Sequence, residues 1–284
     1  MTNRLLIENL KDSKIYFDIS YFELIEFEGK DCLDFLQRLT TNDCRGLSGN
    51  NSIETCLVDE KGRMIDLLHL FKCEGKIFSI VSPSSKERVT NWLNKFHITE
   101  DMSISNIESN YKIYLLPNNL NKYEFNLPTV NNHFHNYQII ISFGNKDCEN
   151  ILNENGLSKT DESIYNLFLI ENGIPIYPTE INNNYTPLDI NLKHAVSTTK
   201  GCYLGQEVLA RLDTYDKIKF NLLKISSEFE MGNKIYFGNE EVGEITRIYK
   251  NNTMSLALAV IKNKYLKNEL NFENHKLVKI EQIF

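Results

Sequence analysis

From about Thr214 onward the chain carries no strong helical pattern. "KIKFNLLKISS", "NKIYF", "EEVGEITRIYK", "MSLALAVIK" and "HKLVKIEQIF" follow one another as five short strands at close spacing. That is the pattern of a small antiparallel barrel or sandwich. The first hundred residues behave differently and alternate strand with helix. "KIYFD" and "YFELIEFEG" read as strands, and "GKDCLDFLQRLTTND" as an amphipathic helix ending in polar residues. Three strands follow in "SIETCLVDEKGRMIDLLHLFKCEGKIFSIVS", with turns at Glu60–Gly62 and Glu74–Gly75. "SPSSKERVTNWLNKFH" predicts a helix with serines to cap it and Val89, Trp92, Leu93 and Phe96 on one face. A fold made of alternating elements followed by a run of strands is α+β.

Residues 101 to 160 give weaker patterns, with strands at "YKIYLLP" and "NYQIIISF", a helix at "NKDCENILNENG" and an Asn-rich surface excursion from Asn118 to Asn136. "DESIYNLFLIENGIP" predicts a helix with Asp161 as N-cap and Gly173–Pro175 as its stop.

With 284 residues the chain can bury a sizeable core in two or three units. A formal net charge of −7 argues against a broad electrostatic footprint on nucleic acid or an anionic membrane. No apolar run is long enough to span a bilayer. "MTNRLLIENLKDSKIYFD" lacks the apolar core of a signal peptide and the acid-poor character of a transit peptide, so the expected location is cytoplasmic. The six cysteines, at 32, 44, 56, 73, 148 and 202, have no C-x-x-C or zinc-finger spacing. Reduced, mostly buried thiols are expected for five of them.

Cys202 is the exception. Gly201 and Gly205 permit a tight turn around it, Lys200 precedes it, and "QEVLARL" has a helical pattern. A thiol ahead of a helix start and beside an ammonium is biased towards thiolate. The same residues also fit a plain tight loop with a half-buried cysteine. Three other stretches have two readings each. "FLQRLTTND" ends in either ordinary helix-end residues or a polar knot facing a cleft. Asp66, in the hairpin "DEKGRMID", lies either on a wet sheet face or in a pocket where it handles a proton. Glu171, in "LIENGIP", is either a surface glutamate or a carboxylate that takes two parallel hydrogen bonds from an amidine-like edge such as a pterin's.

Taken together these stretches resemble one family. "KGCYLGQE" is similar to the K-G-C-[FY]-x-G-Q-E signature of the YgfZ-type folate-binding proteins, relatives of the aminomethyltransferase of the glycine cleavage system. "FDIS", "FLQRLTTND", "DEKGRMID", "ENGIP" and "PLDINL" resemble that superfamily's stretches in its order, over residues 16 to 212. The resemblance implies a three-lobed α+β fold closed around a central folate-binding cleft, with a C-terminal antiparallel β-barrel. Carried onto this chain, residues 1–100 plus 161–213 form the folate-binding lobe, 101–160 a second α+β lobe and 214–284 the barrel. It also implies an accessory role in assembly or repair of iron–sulfur proteins, [4Fe–4S] enzymes that modify tRNA among them.

The cofactor implied is tetrahydrofolate or a one-carbon derivative. Phe22, Tyr165, Glu171, Tyr203, Gln206 and Arg211 are the residues expected to bind it. Cys202, Lys200 and Asp66 are the residues expected to act chemically, and no metal ligand is expected. The implied partners are folate and iron–sulfur assembly proteins or their client enzymes, with no membrane and no direct nucleic-acid contact, and the chain is expected to be a monomer. A tetrahydrofolate-dependent aminomethyl- or methyltransferase with Asp66 as general acid/base is the alternative. Two departures from the superfamily pattern stand out. Leu169 occupies a position where many members have arginine, and "P-x-E" reads Pro187–Leu188–Asp189.

Overall fold

The computed structural model describes residues 14–48, 51–108, 110–117, 125, 127–144, 147–251, 255–272 and 278–281. The N-terminal stretch read for targeting signals and much of the Asn-rich segment lie outside the described residues. The fold is α+β, with three sheets. The first runs β3 (Ile53–Val58), β4 (Met64–Cys73), β5 (Lys76–Val81), β2 (Glu23–Gly29), β6 (Met102–Ile107), every neighbour antiparallel. The second runs β10 (Ser158–Lys159), β1 (Ile15–Asp18), β7 (Tyr111–Pro117), β9 (Tyr137–Phe143), β8 (Thr129–Asn132). The third has six strands in the order β15 (Asn271–Phe272), β12 (Lys234–Phe237), β13 (Glu240–Lys250), β14 (Ser255–Lys262), β11 (Phe220–Ser227), β16 (Lys279–Glu281).

Strand periodicity gives the first sheet two apolar faces. Ile25, Phe27, Leu68, Leu70, Ile77 and Val81 pack under two helices, α1 (Cys32–Leu39) and α2 (Lys86–Asn94). Phe35, Leu36 and Leu39 of α1 and Val89 and Leu93 of α2 complete that layer. The opposite face presents Leu24, Phe71, Phe78 and Ile80 to the second sheet, where Ile113, Leu115, Ile139 and Ile141 meet them.

Helix α4 (Glu162–Asn172), which follows a shorter helix α3 (Cys148–Glu154), is the wedge that joins the lobes. Tyr165, Phe168 and Leu169 enter the core shared by the first two sheets, while Leu167 and Ile170 enter one shared with Leu222, Leu258 and Val260 of the third. Its ends are as the sequence predicts. The Asp161 side chain accepts from the Ile164 amide at 3.0 Å, and Gly173 closes the helix at φ 61°. A final helix, α5 (Gln206–Thr214), precedes the third sheet.

In the sheets, β1 pairs with β7 and β10 in the second, and β6 pairs with β2 in the first. The C-terminal unit is a curled antiparallel half-barrel, in line with the expected fold, with β15 and β16 at the two edges of its sheet among the described residues. Ser85 stands at the N-cap of α2, but its hydroxyl makes no cap; it donates to Asp66. Among the described residues no helix is long and apolar enough to cross a membrane.

Candidate functional site

The first and second sheets and α4 line a narrow cavity that opens to solvent. Its wall is largely aliphatic, and both residues expected to flank a flat ring, Phe22 and Tyr165, line it. Phe22 sits in the turn between β1 and β2. Its amide donates to the Ile19 carbonyl at 2.9 Å, and its own carbonyl accepts from the Tyr111 hydroxyl at 3.2 Å. Tyr165 is one turn into α4, with its ring centre 5.0 Å from that of Phe17. Burial pushes the Tyr165 phenol far above its ordinary range, so it stays neutral. Leu169 lines the same wall.

Asp66 does not line this cavity; its neighbours Leu67 and Ser82 do. Residues alternate along β4, so Leu67 and His69 face the cavity while Asp66 is turned away with Leu68 and Leu70. The carboxylate is fully buried and fully engaged. Oδ1 accepts from the Ser82 hydroxyl at 2.6 Å and the Leu67 amide at 2.9 Å. Oδ2 accepts from the Ser82 amide at 3.0 Å and from the Ser85 hydroxyl. Burial raises its pKa, and these hydrogen bonds oppose the rise. The wet-face reading of Asp66 therefore does not hold. It is a staple that fixes the start of α2.

The signature loop docks elsewhere, on the end of α1 and the β3–β4 hairpin. The Ser197 amide donates to Thr41 O at 3.0 Å, the Leu204 amide to Arg38 O at 3.1 Å, and the Thr41 hydroxyl to Ala195 O at 2.6 Å. The polar end of "FLQRLTTND" is thus a buried knot that receives the loop. Lys200 is only 5% exposed, and its ammonium is aimed at this knot, donating to the carbonyls of Thr40 and Asn42 at 2.7 Å each. Burial brings its pKa down to about 8. Its charge also lies over the Tyr203 ring, 4.9 Å from the centroid.

Cys202 is exposed, unlike Cys32, Cys44, Cys56 and Cys148, which are buried; Cys73 is half-buried. Cys202 does not line the cavity. Tyr203 and Gln206 line a separate hollow with Thr198, Leu188 and Asp213, and Arg211 projects into solvent from α5. Glu171 is also outside the cavity. Its Oε2 pairs with Lys224 Nζ on β11 at 2.9 Å, and Glu281 stands 3.6 Å from the same ammonium. Of the six residues expected to bind the cofactor, Phe22 and Tyr165 come together; Glu171, Tyr203, Gln206 and Arg211 do not join them.

The family described as the GCVT N-terminal domain matches residues 7–116. The tRNA-modifying protein YgfZ of Colwellia psychrerythraea is 25% identical over 75% of this chain and 72% of its own length. The chain is thus similar to the aminomethyltransferase superfamily, a YgfZ protein among its relatives. A chloroplastic protein of Arabidopsis thaliana named as a transferase is 26% identical over 88% of this chain, which spans 66% of that relative's length. The fold matches that of glycine cleavage system aminomethyltransferase T from Bartonella henselae with a TM-score of 0.77, covering 98% of this chain and 88% of that one at 16% identity.

The chain also holds a titratable cluster that the sequence reading missed. Glu54 on β3 stands directly opposite His69 on β4 in the ladder. Its Oε2 lies 2.6 Å from His194 Nε2 and accepts from Asn132 Nδ2 at 2.9 Å, while Oε1 lies 3.6 Å from His69 Nδ1. The His194 ring is stacked on Phe134 at 4.0 Å, with the His135 ring edge-on to it at 5.4 Å. Burial works to raise the Glu54 pKa, but the bond from His194 and the neighbouring imidazoles overcome it and hold the carboxyl at about 2. Burial drives His135 down to about 4. Among the described residues no group of His, Cys, Asp and Glu side chains is placed to hold a metal ion. The one signal in the sequence was His69 itself, a titratable residue amid the apolar run "DLLHLF".

Proposed function

We propose that this chain is a cytoplasmic, monomeric folate-binding accessory protein for the assembly or repair of iron–sulfur proteins, [4Fe–4S] enzymes that modify tRNA among them. The observation that carries the reading is the cavity. It is a narrow, mainly aliphatic recess with Phe22 and Tyr165 on two different elements and a small number of polar side chains. That is the make-up of a site for a flat heterocycle. Tetrahydrofolate, when bound, supplies a carrier for one-carbon groups. Phe22 and Tyr165 would hold its ring, and Leu169 and Ile174 would exclude water from it.

Cys202 would act apart from the ring. It is exposed on a loop whose backbone is pinned by Lys200 and Gly205, an arrangement suited to meeting the surface of another protein. One thiol cannot hold a cluster, which usually needs four thiolates. Cys202 would therefore handle sulfur or a cluster ligand only together with a client or assembly protein.

The transferase alternative asks Asp66 to exchange a proton with substrate. Four hydrogen bonds and complete burial weigh against that role. The reading is tested by calorimetry with tetrahydrofolate and by the activity of [4Fe–4S] enzymes in cells that depend on this chain. Binding by wild type, together with loss of cellular enzyme activity on Cys202→Ser, is the expected result. No detectable binding would refute the folate part, and full activity of the serine variant would refute the thiol part.

A further inference from the structure

Four polar side chains line the cavity: His69, Ser82, Tyr137 and Tyr165. Three are already committed to the protein. Ser82 gives both its hydroxyl and its amide to Asp66. Tyr137 accepts from Asn132 Nδ2 at 3.1 Å. Tyr165 shares a hydrogen bond with Tyr21. His69 differs from these. It is 7% exposed, and its Nδ1 is buried with no hydrogen bond. The atom facing Nδ1 is Glu54 Oε1, at 3.6 Å. A carboxylate on that side favours the tautomer with the proton on Nδ1. Nε2, across the ring, is then a bare acceptor.

We propose that His69 is the polar anchor of the cavity, with Nε2 accepting a hydrogen bond from an N–H or amino edge of a bound heterocycle and Glu54 orienting the ring from behind. The proposal rests on the reading that the cavity takes a reduced folate. It gives the gripping role to a residue on β4 in place of Glu171, whose carboxylate is paired with Lys224. Glu54 is the positioning residue, since it acts on the ligand only through the imidazole. It is itself fixed by His194 and Asn132, so ring orientation depends on three elements meeting: β3, the β8 end and the turn at Lys193–Ala195.

The groups that face His69 set its protonation. Glu54 on β3 and Asp66 on its own strand favour the cation, while burial and His194 disfavour it, and burial is the largest influence. His135 in the β8–β9 turn and Tyr137 at the start of β9 stand around the same Glu54. The imidazole is therefore neutral at neutral pH and gains a proton only on acidification. Protonated Nε2 is a donor, and the acceptor that the ligand's N–H needs is lost.

The test is calorimetry with tetrahydrofolate between pH 7.5 and 5 on wild type, His69→Phe, His69→Gln and Leu169→Trp, with thermal unfolding of each. His69→Phe keeps the bulk and removes the acceptor, and it is expected to weaken binding at least tenfold. His69→Gln restores an acceptor near Nε2. It is expected to bind within about threefold of wild type at pH 7.5 and to lose less affinity than wild type on acidification. Leu169→Trp fills the cavity and reports on the folate reading itself. Undiminished binding by His69→Phe, with Leu169→Trp inactive, would overturn the anchor and leave the folate reading standing. Binding that survives Leu169→Trp, or is absent in wild type, would overturn both. Should His69→Phe fail to fold, weak binding by a folded His69→Gln at pH 7.5, or a wild-type profile no steeper than that variant's, would reject the anchor.

Discussion

Gly205 lies against the backbone of Asp59 so closely that a Cβ added to it would stand 2.7 Å from the Asp59 carbonyl oxygen and 3.0 Å from Val58 Cγ2. Its φ of 81° is left-handed as well. Both facts require glycine, and together they fix the signature loop on the β3–β4 hairpin. Gly201, by contrast, has open space around it. Gly205→Ala is expected to destabilise the protein by about 2–4 kcal/mol, through backbone strain and overpacking, whereas Gly201→Ala costs less than about 1 kcal/mol. Urea unfolding of the two variants checks this, and equal midpoints would contradict it.

Lys200 predicts an alkaline effect. Its pKa is about 8 in the folded chain against an ordinary 10.5, so between those values the unfolded chain binds a proton that the native one does not. Stability attributable to this residue therefore rises as pH increases from 8 to 10.5 and is lowest at neutral pH, by roughly 2–3 kcal/mol. Lys200→Met keeps the stem packed and removes the titration. The difference in unfolding free energy between wild type and Lys200→Met should shift in favour of wild type over that interval; a constant difference would show that the ammonium is not desolvated.

The Glu54 cluster predicts acid lability of the opposite origin. Glu54 is held at about 2 and His135 at about 4, both below their ordinary values. Each group is thus protonated more readily in the unfolded chain. Stability falls as pH drops from about 6.5 towards 4 through His135, and from about 4.5 towards 2 through Glu54. Glu54→Gln is expected to unfold more easily at pH 7, because the three imidazoles lose their carboxylate, and to show a flatter stability profile below pH 4.5. Thermal unfolding from pH 7 to pH 3 would expose any failure of that ordering.

Asp66 makes a structural prediction. Asp66→Ala leaves two amides and two hydroxyls without their acceptor and should cost about 3–5 kcal/mol. Asp66→Asn retains one acceptor oxygen and should cost less, leaving tetrahydrofolate affinity within about threefold of wild type. A selective loss of binding with unchanged stability would return Asp66 to the cavity's chemistry.

Cysteine exposure predicts a labelling pattern. A bulky thiol reagent applied to the native protein should modify Cys202 at once and Cys73 slowly, with Cys32, Cys44, Cys56 and Cys148 reacting only on unfolding. Cys202→Ser should remove the fast phase and change stability by less than about 0.5 kcal/mol. Mass spectrometry of the labelled peptides identifies the sites, and fast labelling in the serine variant would disprove the assignment.

Much of this was legible locally. The strand and helix patterns, the Asp161 cap, the Gly173 stop and the hairpin bend at Gly62 are set by neighbours a few residues away, and periodicity or turn chemistry is enough to read them. Phe22 and Tyr165 were found through resemblance to a family, not through any local pattern. Alternation along β4 dictated that residues 66 and 69 face opposite ways, but not which of those faces would meet a cavity. That depends on where two other elements dock.

Docking likewise decided that Lys200 turns to carbonyls 158 and 160 positions away, that Glu171 finds an ammonium 53 positions on, and that Glu54 meets His194 across 140 residues. A charged side chain pairs with whatever the folded core brings beside it, and the core is assembled by burial of apolar area, which has no direction and no memory of sequence distance. The amino-acid order alone therefore determined the elements, the loop and the resemblance to a superfamily. Only the packed lobes decided which polar residues border the cavity and which merely hold its walls.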